Sequence, residues 1–83
     1  MYLEVLTPGK TVFSGDIKLI KVPGSDGSFE VENNHAPIIS SLQEGNIRII
    51  TEDDEVQNFG IKGGVIQVLK NQIIVLAESL IEA

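Results

Sequence analysis

The chain has 83 residues, no cysteine and one histidine, His35, which excludes disulfides, thiolate zinc sites, cysteine nucleophiles and a His-rich metal centre. Six Lys and Arg against twelve Asp and Glu leave a net charge of −6, the wrong sign for a phosphate backbone, so no nucleic-acid partner is expected. A chain this short has room for one small domain, residues 1–83, and buries only about 60% of its extended-state surface, a thin margin unless a partner covers part of it.

Val, Ile and Thr supply 23 residues against seven Leu and three Ala, so the composition favours strands over helices. In chain order, strands are expected over 2–7, 10–14, 16–22, 28–32, 38–42, 46–51, 55–61, 64–70 and 72–78, with apolar residues alternating as in Leu3 and Val5, Ile47 and Ile49, and Phe59 and Ile61. The breaks fall at turn signals: Thr7-Pro8-Gly9, Pro23-Gly24-Ser25-Asp26-Gly27, Asn33-Asn34, Glu44-Gly45-Asn46, Glu52 to Glu55, Gly63-Gly64 and Lys70-Asn71-Gln72. Such spacing belongs to an all-β sandwich or barrel. The tail from Glu78 to Ala83 has the composition to begin a helix, but six residues do not hold one without tertiary support.

Three segments break the simple alternation. Ile73-Ile74-Val75-Leu76, Ile47-Arg48-Ile49-Ile50 and Leu19-Ile20 place apolar groups on both faces of their strands. Either an outer sheet face is covered by another protein, or bulges and strand ends turn both side chains into one core. The pattern alone does not choose between them.

Candidate chemistry is sparse. Gly9-Lys10-Thr11 resembles the end of a phosphate-cradling loop, but Pro8 removes a needed N–H donor and the following residues read as a strand, not a helix, leaving a plain turn. Glu52-Asp53-Asp54-Glu55 lacks the glycine spacing of a calcium loop and reads as a solvated hairpin tip. His35 is the only imidazole for general-base work and has no Gly-x-Ser-x-Gly elbow to serve, so an enzyme is not expected. With no Trp, one Tyr and three Phe there is little surface for stacking sugars, which makes a sugar- or peptide-binding module the less attractive alternative. The longest apolar run, Ile73 to Ala77, is far short of the roughly 20 residues of a membrane span, and Met1-Tyr2-Leu3-Glu4 lacks a basic leader region, so neither membrane insertion nor export is expected.

A fixed series of short motifs does point somewhere. Phe13-Ser14-Gly15, Val22 with Gly24 and Gly27, His35-Ala36-Pro37, Gly45-x-Ile47-Arg48-Ile49, Gly63-Gly64 with Val68, and Asn71 with Val75-Leu76-Ala77-Glu78 follow one another in an order that resembles the N-terminal β domain of the epsilon subunit of the rotary F-type ATP synthase. Where that family usually carries a glycine after the Phe29 position and a Pro-Gly before the histidine, this chain has Glu30 and Asn33-Asn34. The resemblance implies an all-β fold, a flattened β-sandwich of about nine or ten short strands. No C-terminal helical hairpin is expected within these residues, so the inhibitory arm of typical bacterial members is not expected here.

The resemblance also implies a role: a non-catalytic central-stalk subunit that couples the gamma subunit to the membrane c-ring during proton-driven ATP synthesis. It would be a monomer within a hetero-oligomer, peripheral on the cytoplasmic face of the bacterial inner membrane, with no cofactor. Carried over to this chain, His35, Ala36, Pro37, Ile38 and Ile39 are the gamma-facing segment, and Asp26, Ser28 and Glu30 are the contacts to the polar loops of the c-ring. A solvated loop is the competing reading for Ser28 and Glu30, and core packing the competing one for Ile38 and Ile39, since one of two adjacent strand residues usually faces inward. Phe13, Val22, Phe29, Val68 and Val75 read as core.

Overall fold

The computed structural model describes residues 1–81. Its eight strands are β1 (Tyr2–Thr7), β2 (Lys10–Val22), β3 (Phe29–Glu32), β4 (Ile38–Leu42), β5 (Gly45–Thr51), β6 (Val56–Ile61), β7 (Gly64–Leu69) and β8 (Gln72–Ala77), with no helix among the described residues. The number is eight because the expected strands 10–14 and 16–22 run on as one. Gly15 does not interrupt the ladder but pairs with Leu3. Residues 82 and 83, the end of the tail in which a helix had room to begin, lie outside the described residues; ahead of them Leu80 forms an antiparallel bridge with Ile61.

The strands form one hydrogen-bonded path, β4-β7-β8-β1-β2-β5-β6, with β3 on the other side of β2. Only β1 and β8 pair in parallel. The long β2 makes the path two layers. Its first half, Lys10 to Asp16, pairs with β1, while its second half, Ile17 to Val22, pairs with β5 and β3. Register shifts between Val5 and Leu6 and between Ile17 and Leu19 flank the crossing, the kind of irregularity that bends a strand from one sheet into another. One layer is thus β4-β7-β8-β1-β2 and the other β3-β2-β5-β6.

The core lies between them. β8 alternates perfectly, with Ile73, Val75 and Ala77 buried and Gln72, Ile74 and Leu76 exposed. Leu3, Val5, Ile66 and Val68 from the same layer meet Ile17, Ile20, Val22, Val31, Ile47, Ile49 and Ile61 from the other, all essentially inaccessible. Each such Leu, Ile or Val contributes about 1.5–3 kcal/mol relative to exposure. Phe13 and Phe29 pack against this cluster half-buried, and Phe13 meets Phe59 of the facing layer at a ring-centroid distance of 6.4 Å. Val22, Val68 and Val75 are core as expected.

Candidate functional site

The pairing register fixes which side chains share the outer face of the β4-β7-β8-β1-β2 layer. One cross-strand row reads Ile39, Gln67, Ile74, Glu4 and Ser14; the next reads Ser41, Val65, Leu76, Leu6 and Thr11. Leu69 lies one residue pair beyond the first row, opposite Gln72. Ile39 is 74% exposed, Leu76 54% and Leu69 44%, with Val65 and Ile74 close behind. Val65, Leu76 and Leu6 are direct neighbours across three strands and make a continuous apolar stripe, while Ile39 and Ile74 stand in the adjoining row with Gln67 between them. At its end, beside the Pro8-Gly9 turn, a shallow depression of about 480 Å³ is lined by Leu6, Pro8, Gly64, Val65, Leu76 and Glu78 among others.

The outer face of the other layer is different. There Glu30, Lys21, Arg48 and Asn58 stand in one row, and Asn58 accepts a hydrogen bond from Asn46 at 2.9 Å. The adjoining row holds Leu19 and Ile50, both half-buried, between Glu32 and the exposed Val56. The apolar doubling in the sequence therefore has a definite meaning: Ile73, Val75, Ile47 and Ile49 face the core, whereas Ile74 and Leu76 face outward.

The sequence-derived contact residues fall into separate places. Asp26 and Ser28 are exposed in the loop between β2 and β3, which is stitched to β4: the Ser25 N–H donates to the Ser41 carbonyl, and the Gln43 side-chain amide donates to the Gly24 carbonyl. Glu30 is exposed on β3, opposite Lys21, on the charged outer face. His35, Ala36 and Pro37 lie at the opposite end of β4 from that loop. The chain turns there at Asn33-Asn34, with the His35 N–H donating to the Glu32 carbonyl and Asn34 at φ +64°. Asparagine tolerates this left-handed conformation better than most residues. The half-buried His35 imidazole has its Nδ1 2.7 Å from the Ala36 carbonyl oxygen. Of the adjacent pair on β4, Ile38 packs on the core and Ile39 faces out, as alternation along a strand requires.

Ile39 is thus the one predicted contact on the apolar outer face, and Leu6, Val65, Leu69, Ile74 and Leu76 are the members that sequence reasoning did not single out. Their signal was present in the doubled run Ile73-Ile74-Val75-Leu76, but the run does not say which of its members faces out. The depression is apolar, with Glu78 its sole ionisable lining residue, so it does not offer the converging polar groups of a ligand-binding module, and that alternative is not favoured.

Comparison with known proteins agrees in sequence and in fold. The family model described as "ATP synthase, Delta/Epsilon chain, beta-sandwich domain" matches residues 1–83. The ATP synthase epsilon chain of Chlorobium limicola is 36% identical over 78 residues, covering 94% of this chain and 89% of that one. The epsilon chain of Protochlamydia amoebophila is 41% identical over 78 residues, but this chain spans only 53% of its length. Among solved structures, a chain of the Euglena gracilis mitochondrial ATP synthase superposes with a TM-score of 0.88 at 15% identity, over 95% of this chain and 51% of that one. One from the central stalk and c-ring of the Tetrahymena thermophila mitochondrial enzyme gives 0.83 at 19% identity, over 98% and 65%. The two structural matches speak to the fold, while the sequence matches carry the ancestry: this chain belongs to the delta/epsilon chain family of ATP synthases, and residues 1–83 correspond to that family's β-sandwich domain.

Proposed function

We propose that residues 1–83 act as one β-sandwich unit in the central stalk of an F-type ATP synthase, a coupling piece between the gamma subunit and the c-ring that performs no catalysis of its own. The observation that carries this reading is the apolar outer face of the β4-β7-β8-β1-β2 layer, in a chain whose relatives are ATP synthase epsilon chains. An exposed face carrying Ile39, Val65, Ile74 and Leu76 is costly to leave in water and suits a lasting protein contact. The gamma subunit is its occupant in this reading, with His35, Ala36 and Pro37 at the edge of the contact beside Ile38 and Ile39. The c-ring contact falls to the exposed polar residues Asp26, Ser28 and Glu30, whose side chains suit the polar loops of a membrane rotor. The unit then works at the cytoplasmic face of a bacterial inner membrane, peripheral to it.

The test is reconstitution. The purified chain is mixed with the gamma subunit and c-ring of the same synthase, and the products are weighed by native mass spectrometry. A ternary complex at micromolar concentrations is the expected result. Free components alone would overturn the reading.

A further inference from the structure

We infer that the depression at the end of the apolar stripe is an anchoring socket: it receives one large apolar side chain of the stalk partner, and Glu78 at the same place pairs with a basic residue beside that side chain. This rests on the docking reading above and adds where on the face binding is concentrated and what the partner must present.

Three observations carry it. First, the socket is continuous with the stripe, since Leu6, Val65 and Leu76 belong to both, so whatever covers the face lies over the depression. Second, its volume of about 480 Å³ is ample for one large side chain together with the neighbouring partner surface, and a flat partner surface laid across it leaves a void. Close packing makes such voids unfavourable, and interface energy concentrates where a bulky group fills a desolvated recess. The recess is set in regular backbone: β7 approaches β8 at Gly64 so closely that a Cβ there would run into the Leu76 carbonyl. Third, Glu78 is exposed and is the only ionisable residue lining the socket, in a chain of net charge −6. A carboxylate at the border of an apolar contact selects a cation on the other side, and the overall negative field speeds approach of a basic surface. The expected partner segment therefore carries a Leu, Met or aromatic residue next to a Lys or Arg.

Isothermal titration of the gamma subunit with the intact chain and four variants tests this. Leu76→Ala, half-exposed and so compatible with folding, is expected to weaken binding about tenfold or more. Val65→Trp, which covers the recess from its side, is expected to weaken it as well. Glu78→Gln is expected to weaken binding a few-fold in 50 mM salt and to bind like the wild type in 500 mM, because screening removes the contribution the substitution deletes. Ile39→Asp reports on the face away from the socket, and circular dichroism confirms that each variant is folded. If Ile39→Asp weakens binding while Leu76→Ala, Val65→Trp and Glu78→Gln match the wild type, the socket is wrong and the docking face stands. If the wild-type chain itself does not bind gamma, the docking reading falls and the socket with it.

Discussion

Asn34 and Asn71 hold each other by a reciprocal pair of hydrogen bonds: the Asn34 backbone N–H donates to Asn71 Oδ1 at 2.8 Å, and Asn71 Nδ2 donates to Asn34 Oδ1 at 3.2 Å. Both residues sit in the left-handed region, at φ +64° and +61°. The Asn71 carbonyl also accepts from the Tyr2 N–H, so one residue ties the β3–β4 loop, the β7–β8 turn and the start of β1 together. His35-Ala36-Pro37 follows immediately after this clasp, and its position depends on it.

Replacing Asn71 by Ala deletes both side-chain bonds and puts into the left-handed region a residue that tolerates it less well than asparagine. A loss of about 2–3 kcal/mol is expected from those two effects together. Asn71→Gly removes the bonds but relieves the backbone, so it should lose less, about 1–2 kcal/mol. Urea titration separates the two, and hydrogen exchange at the His35 amide should accelerate in both. Equal stability of Ala and Gly variants would show that the left-handed turn contributes nothing.

Gly64 and Gly9 make a second contrast, between a glycine needed for space and one needed for conformation. A Cβ on Gly64 collides with the backbone of β8, which has no freedom to yield, whereas a Cβ on Gly9 meets nothing, and its φ of +78° is the only difficulty. Gly9→Ala is expected to cost about 1–2 kcal/mol. Gly64→Ala should cost clearly more, enough to threaten a domain whose total stability is on the order of 5–10 kcal/mol. Thermal melts of the two variants check the ranking, and a Gly64→Ala protein as stable as Gly9→Ala contradicts the close approach of β7 to β8.

The strands were readable because turn chemistry and β-branched residues coincide: Tyr2–Thr7 and Ile38–Leu42 fall where the sequence puts them. Gly15 misled because glycine ordinarily punctuates, yet here it lies within a strand that crosses between layers, and crossing is a tertiary property. The outward set Leu6, Val65, Ile74 and Leu76 was hidden for a related reason. In Ile73-Ile74-Val75-Leu76 both alternate sets are apolar, so only the pairing of Ile73 with Leu3 and Val68, both buried, decides which set is core. A motif series conveys ancestry, but register is settled between strands far apart in sequence.

At the β5–β6 hairpin tip, Lys18 Nζ donates to Asp54 Oδ1 at 2.7 Å, with both side chains well exposed. The hydrogen bond to Asp54 and its charge raise the Lys18 pKa above its ordinary 10.5, desolvation opposes them, and the charges of Glu52 and Asp53 add to the rise. Because the folded-state value is the higher one, the pair's contribution is fully present below pH 10.5 and is lost as pH rises through the raised value. The pair is solvated, so that contribution is small and salt-sensitive. Lys18→Gln should therefore change the melting temperature little at pH 7 and flatten the fall in stability as pH rises above 10.5 in low salt. An unchanged slope there removes Lys18 as its source.

Ile66 and Ile39 stand on neighbouring strands of one layer and face opposite sides of the sheet, so they separate folding from docking. Ile66 is fully buried, and Ile66→Ala leaves a cavity costing about 2–5 kcal/mol. Ile39 is 74% exposed at the sheet edge, so Ile39→Asp is expected to leave the melting temperature within a few degrees of the wild type. On gamma the order reverses. Ile39→Asp buries a carboxylate in an apolar contact and should weaken binding strongly, whereas Ile66→Ala, measured at a temperature where it remains folded, should bind nearly as well as the wild type because its outer face is intact. Parallel calorimetric melts and gamma titrations give both numbers for both variants. If Ile39→Asp binds gamma as well as the wild type does, the docking face lies elsewhere on the sandwich.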